Sequence, residues 1–140
     1  MTHRPEDLAA TLPLPLDTAR VRVHGSACSR SMSLMRRLVL RLSRGRAVAL
    51  GNHVFLPARC ENDPAVLAHE LIHCAQYQAW GPLRYYRRGA VAQLRDLLHR
   101  GLGVGSSPYA YRQEGDKPFE AYGMEQQAQM VEDLVRRRQG

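Results

Sequence analysis

The sequence lacks the features that mark secreted, disulfide-rich or membrane-spanning proteins. It has three cysteines, Cys28, Cys60 and Cys74, and no Cys-x-x-Cys pair, which argues against a disulfide framework and against a thiolate zinc knuckle. No run of about 18 apolar residues occurs, so we expect no transmembrane helix. The start has no apolar stretch behind basic residues, so we expect no signal peptide and a cytoplasmic protein with reduced thiols.

Lysine is almost absent, with Lys117 as the one example, although the chain is basic. Its 20 Lys plus Arg exceed its 13 Asp plus Glu by 7, so the positive charge comes almost entirely from arginine. Arginines and aromatic side chains share residues 83–100, which keeps contact with an anionic surface open as an alternative. Because arginine is spread over the whole chain, we favour a solvated face and do not expect nucleic-acid binding.

The 140 residues have an ordinary globular composition, with 44% hydrophobic and 24% charged residues. This composition argues against intrinsic disorder and predicts a compact chain with its own core. Residues 1–17 carry Pro5, Pro13 and Pro15 without sustained periodicity, which predicts an extended N-terminal arm. Residues 18–140 are expected to form a single domain.

Apolar periodicity predicts an α+β fold, with a small sheet or hairpin packed on about four helices. Residues 21–24 alternate polar and apolar side chains like a short strand, and residues 47–50 and 53–56 flank Gly51-Asn52 like a hairpin. The expected helices cover residues 31–42, 64–80, 83–100 and a last segment that begins near residues 116–118 and runs into the arginine-rich tail.

The chemistry-bearing motif is His69-Glu70-Leu71-Ile72-His73, in the middle of the second expected helix. Two histidines four residues apart project from the same helical face and can bind one metal ion, while Glu70 can reach a water molecule on it. Zn²⁺ suits imidazole and carboxylate ligands and lowers the pKa of bound water to about 7. We therefore expect His69 and His73 to be metal ligands and Glu70 to be the general base. The alternative is an ordinary histidine pair in the core or on the surface.

Several further segments resemble a known family. They are residues 21–24 (Val-Arg-Val-His), 50–55 (Leu-Gly-Asn-His-Val-Phe), 67–76 (Leu-Ala-His-Glu-Leu-Ile-His-Cys-Ala-Gln), 111–112 (Tyr-Arg) and 117–122 (Lys-Pro-Phe-Glu-Ala-Tyr). Together they resemble the gluzincin-like metallopeptidase domains of bacteria, including the metallopeptidase domain associated with contractile injection systems. The resemblance implies a zincin core, in which a strand runs beside the active-site helix and a later helix closes the zinc site.

A catalytic zinc usually has three protein ligands, and Glu114, Glu120 and Glu125 compete for the third place. Glu114 lies in a predicted loop. Glu120 and Glu125 are separated by about 140° around a helix axis, so they cannot both face the metal. We choose Glu120 because it matches the proline-segment glutamate of the family. Gly123 on the same face would also let its helix approach the active-site helix closely.

Other residues near the motif are assigned from position. Cys74 points about 100° away from His73 and is expected in the core. Gln76 lies within one turn of His73 and could order the site through a hydrogen bond. An oxyanion-stabilising phenol is sought among Tyr109, Tyr111 and Tyr122.

These observations predict a zinc metallopeptidase (a hydrolase) that acts on a peptide or protein. The alternative is a non-catalytic zinc-binding adaptor or structural protein, linked to a secretion or injection system. Glu70 favours the enzyme, because a structural zinc site needs the two histidines but not that carboxylate.

Overall fold

The computed structural model describes residues 4–26, 30–103, 111 and 115–139. Over these residues it has five α-helices and one three-stranded sheet, which confirms a small, mostly helical α+β fold. In chain order the elements are α1 (Pro5–Ala9), β1 (Arg22–His24), α2 (Arg30–Leu42), β2 (Val48–Leu50), β3 (His53–Phe55), α3 (Pro64–Trp80), α4 (Pro82–Leu102) and α5 (Met124–Gln139).

The strands form a sheet in the order β1-β3-β2. β1 runs parallel to β3, with Val23 opposite Val54, and β2 runs antiparallel to β3, with Ala49 opposite Val54. Gly51 makes the hairpin turn with φ of +62°, a conformation that glycine adopts without steric cost. The predicted strand at residues 21–24 and the predicted hairpin are confirmed. β2 has one neighbour in the described sheet and forms its edge.

Helix α3 is the centre of the core and packs against α1, α4, α5, β2 and β3. Apart from the polar residues of the motif, the side chains of residues 67–75 are apolar on nearly all sides of the helix. This pattern is typical of a helix that is buried all round. Leu71 and Ile72 have no exposed surface, and they share a cluster with Val54 of β3 and Ala128 of α5. The motif therefore lies at the centre of the molecule.

The N-terminal segment differs from the predicted extended arm, because Pro5–Ala9 forms the short helix α1. Pro5 occupies the first helical position, where its fixed φ is favourable. Asp7 accepts a hydrogen bond from the backbone N–H of Arg4 at 3.0 Å. Leu8 is buried in the core cluster, so burial of one leucine anchors this segment on α3.

The last helix begins later than the sequence predicts. α5 starts at Met124 instead of near residues 116–118, and Phe119–Ala121 forms a separate 3-10 turn. Tyr122 follows in an extended conformation, with ψ of 155°, which interrupts any continuous helix. The backbone N–H of Gly123 then donates to the side chain of Gln126 at 2.8 Å, which caps the new start. This shift decides which glutamate reaches the histidines.

Helices α2 and α4 form close to where they are predicted, and α4 extends through Gly101 to Leu102. Parts of their apolar faces are exposed in the described molecule. The most exposed apolar side chains are Leu34, Leu38 and Leu42 of α2, and Leu83, Leu97 and Leu102 of α4. Among the residues that the structure describes, no helix has the length and hydropathy needed to cross a membrane.

Candidate metal centre

Helix α3 positions the motif, and both of its ends are well defined. Asp63 accepts hydrogen bonds from the backbone N–H groups of Ala65 at 3.0 Å and Val66 at 3.3 Å. At the other end, Gly81 adopts φ of +79° and its N–H donates to Tyr77 at 2.9 Å. The motif lies several residues from either end of α3. It is therefore in the regular middle part of the helix.

Three candidate ligands meet where α3 packs on the start of α5. Oε2 of Glu125 lies 3.3 Å from Nε2 of His73 and 3.7 Å from Nε2 of His69. One ligand atom from each of the three residues lies within 4.8 Å of the other two. Ligands of a single zinc ion, at 2.0–2.2 Å from it, are separated from one another by roughly 3–3.7 Å. The two distances from Glu125 fall in this range, and two imidazoles and a carboxylate are ligand types that zinc takes.

The structure does not bring Glu120, the predicted third ligand, to the two histidines, and Glu125 lies there instead. Glu120 is exposed in the 3-10 turn before α5, whereas Glu125 is 8% exposed and faces the two histidines from the first turn of α5. The cause is the later start of the helix, which places residue 120 outside it. Glu114 lies outside the described residues.

Buried amides support His73 from behind. Nδ1 of His73 lies 2.9 Å from Oε1 of Gln76. Nε2 of Gln76 donates to the carbonyl oxygen of Met124 at 3.0 Å and to Oε1 of Gln127 at 2.9 Å. Both glutamines are almost fully buried. The predicted contact between Gln76 and the site is therefore confirmed, while Gln127 was not predicted.

Glu132 lies against the other imidazole and was also missed. Its Oε2 is 2.8 Å from Nδ1 of His69, an ion-pair contact without hydrogen-bond alignment. Glu132 also pairs with Arg136 at 2.9 Å. A carboxylate in this position orients the imidazole and makes it more basic. Glu125 and Glu132 are seven residues apart, so they share one face of α5, and this spacing becomes informative once the helix is known to begin at Met124.

Burial and charge act in opposite directions on the clustered groups. Burial opposes protonation of His69, but Glu125 and Glu132 outweigh it and raise the pKa of His69 to about 10. Burial also lowers the pKa of His73, but the charge and hydrogen bond of Glu125 together with the charge of Glu70 outweigh it, so the pKa is raised. Conversely, the two histidines hold the pKa of Glu125 below its usual value despite burial. A metal ion that binds here must displace protons from the imidazoles.

The cluster lines an open cleft of about 550 Å³. The cleft is lined by β2 with its flanking residues, by residues of α4, and by Glu70 together with His69 and His73. Glu70 is only 6% exposed, and burial raises the pKa of its carboxyl. A carboxylate with a raised pKa accepts and holds a proton more readily, as a general base requires.

The tyrosine next to the cluster comes from α4. Tyr85 lines the cleft, is 5% exposed, and its ring centroid lies 6.5 Å from that of His73. It also belongs to a small buried cluster with Ala92 of α4 and Met124 of α5. Tyr111 and Tyr122 do not line the cleft, and the hydroxyl of Tyr111 instead donates to a carboxylate of α5. Tyr109 lies outside the described residues.

Other candidate side chains lie away from the cluster. Cys74 is fully buried, which confirms that it packs in the core. His24 and His53 face each other on β1 and β3, with ring nitrogens 3.0 Å apart, and neither lines the cleft. No second group of three or more metal-ligating side chains occurs in the part of the chain that the structure describes.

Comparison with known proteins adds one association. No curated protein and no solved structure was found to match the chain. One family model matches residues 13–81, just under half of the chain. This stretch includes the sheet and α3, and it therefore contains His69, Glu70 and His73 but not Glu125. The matching model is the eCIS core domain, which links this protein to extracellular contractile injection systems.

Proposed function

We propose that this protein is a zinc-dependent metallopeptidase that hydrolyses peptide bonds in its cleft. The observation that carries the proposal is the placement of Glu70 beside His69, His73 and Glu125 on the floor of an open cleft. A site used only for stability would need the three ligands, but it would not need a carboxylate beside them or access from solvent.

Each residue of the cluster has a role in this proposal. His69, His73 and Glu125 would hold the ion. When bound, zinc supplies a Lewis acid that polarises the scissile carbonyl and lowers the pKa of water. Glu70 accepts a proton from the attacking water and delivers it to the leaving nitrogen. Tyr85, which lines the same cleft, supplies a phenol for the negative charge that develops on the carbonyl oxygen.

The walls of the cleft favour an extended polypeptide as substrate. β2 is an edge strand of the described sheet and borders the cleft, so its outer row of backbone groups can pair with an added strand. The side chains of Val48 and Leu50 on this strand and of Val66 on α3 add apolar surface. Backbone pairing binds many sequences, which suits a peptidase.

A second candidate function is a non-catalytic zinc-binding adaptor of a contractile injection system. The match of residues 13–81 to the eCIS core domain favours this association. In an adaptor, zinc would join α3 to α5 and stabilise a small fold, without hydrolysis.

The deciding experiment compares tag-free parent protein with Glu70→Gln and Glu120→Gln. Zinc content is measured by elemental analysis, and cleavage by digestion of an unbiased peptide library. We expect about one zinc per chain in all three proteins, with cleavage by the parent and by Glu120→Gln only. Equal cleavage by Glu70→Gln would show that Glu70 is not the base. Zinc binding without cleavage by any form would favour the adaptor, and absence of zinc would overturn both candidates.

A further inference from the structure

The buried amides behind His73 form a chain of hydrogen bonds that ends on backbone carbonyl groups. Nε2 of Gln127 donates to the carbonyl oxygen of Tyr122 at 3.0 Å, and Nε2 of Gln76 donates to that of Met124 at 3.0 Å. A carbonyl oxygen can only accept a hydrogen bond. The orientation of both amides is therefore fixed by their partners.

This polarity extends to the imidazole. Nε2 of Gln76 also donates to Oε1 of Gln127, so both of its N–H groups are used, and only Oε1 remains for His73. Because that oxygen accepts, Nδ1 of His73 must carry the proton and donate. Nε2 of His73, which faces Glu125, is then the ring nitrogen left for a metal ion, which displaces any proton that this atom carries.

We infer that Gln76 and Gln127 are positioning residues that select the Nδ1–H tautomer of His73 and so make Nε2 the metal-binding atom. The same amides join α3 to the segment that leads into α5, where Glu125 lies. One buried network thus couples the packing of α5, which carries Glu125, to the orientation of His73. This inference rests on the proposed function only in taking zinc as the metal.

The burial of the network explains why it can act in this way. Gln76 has no exposed surface and Gln127 is 1% exposed, so water cannot replace a missing partner. Buried polar groups that lose a partner are costly, and a fully satisfied network therefore holds one arrangement. An alternative tautomer of His73 would place two acceptors, Nδ1 and Oε1 of Gln76, against each other.

The test uses Gln76→Met and the double variant Gln76→Met/Gln127→Met, with Gln78→Met as a matched control. Gln78 lies on the same helix but bonds to Asp17 and Asn52, outside the site. A single substitution leaves the remaining buried amide without one of its hydrogen-bond partners, which is costly. The double variant removes both amides and so avoids that cost.

Two readouts are needed. The first is the tautomer of His73, which is read from long-range ¹⁵N–¹H spectra of zinc-free protein at high pH and of zinc-loaded protein. The second is the zinc affinity, which is measured by titration of zinc against a competing chelator. We expect the Nδ1–H tautomer in the parent and in Gln78→Met. The two variants that replace Gln76 by Met should lose this preference and bind zinc roughly 10- to 100-fold more weakly.

The Nδ1–H tautomer and parent-like zinc affinity in the double variant would overturn the inference. An equal loss in Gln78→Met would overturn it too, because the effect would then be structural. The zinc-free spectra keep the two proposals separable. If the parent protein binds no zinc, the proposed function fails, while the tautomer of His73 still decides whether the glutamines position it.

Discussion

At the residue scale, the site depends on carboxylates that approach the histidines from another helix. Glu125 contacts both imidazoles and Glu132 contacts one of them, whereas Glu120 is exposed a few residues earlier. Although burial lowers them, the pKa values of both histidines are raised, with Glu125 acting on each of them and Glu132 on His69. The identity of the third ligand is therefore the most direct test of this geometry.

We expect Glu125→Ala to weaken zinc binding by at least 100-fold, because one of three protein ligands is lost. Glu120→Ala removes the same charge from an exposed turn and should leave the affinity within about twofold of the parent. Zinc titration against a competing chelator measures both. A large loss in Glu120→Ala together with parent-like affinity in Glu125→Ala would show that the structure has brought the wrong carboxylate to the site.

At the element scale, the site depends on where α3 begins and how the β2–β3 hairpin turns. Asp63 caps α3 six residues before His69, and its other carboxylate oxygen lies 3.4 Å from Arg136 of α5. Gly51 brings the hairpin against Tyr77 of the same helix. Both features are local sequence signals that set the position of α3.

Asp63→Ala should lower the free energy of unfolding by about 1 kcal/mol, because two backbone N–H groups at the start of α3 lose their acceptor. Urea denaturation measures the change. Arg136→Ala separates the cap from the ion pair. Since Arg136 is half exposed, its removal should cost less than Asp63→Ala. A loss of stability in Arg136→Ala as large as that in Asp63→Ala would show that the ion pairs of Arg136 with Asp63 and Glu132 contribute at least as much as the cap.

Gly51→Ala should destabilise the protein by about 1–2 kcal/mol, because a φ of +62° is unfavourable for alanine. The added Cβ would also lie 3.2 Å from the Tyr77 ring. Gly101→Ala is the control: this glycine is in α4 with open space around it, so alanine should be neutral or stabilising by up to about 1 kcal/mol. Thermal and urea unfolding would show whether the two substitutions differ in sign.

At the scale of the whole molecule, α3 and α5 form the main packing interface, and the candidate metal centre spans it. The surfaces of α2 and α4 contribute less, since several of their leucines are exposed in the described residues. The stretch that matches the eCIS core domain ends at residue 81, before α4 and α5. A complete candidate site thus requires a helix from outside the matched stretch.

Zinc should therefore raise the thermal stability of the whole protein. At a free zinc concentration of about 100 times Kd, linkage predicts roughly 2.7 kcal/mol of added stability. A thermal melt with added zinc should shift upwards by several degrees, and a chelator should reverse the shift. His73→Ala should abolish the zinc-dependent shift. A shift of the same size in His73→Ala would show that zinc acts elsewhere on the chain.

The local features of this protein are determined by short stretches of sequence. The hairpin at Gly51-Asn52, the cap at Asp63 and the helix that presents His69 and His73 on one face follow from interactions within a few residues. Backbone sterics and hydrogen bonds act at that range, so the type and approximate position of these elements could be predicted.

Tertiary packing decided the rest, because it depends on residues far apart in the chain. Leu8 stabilises a short helix in a proline-rich segment only because the core accepts its side chain. The third ligand depends on the start of α5 at Met124 and on the register of α5 against α3, neither of which the local pattern near Glu120 determines. Gln76 and Gln127 meet across the same interface, 51 residues apart in the sequence, since the buried amides and carbonyl groups there must satisfy one another.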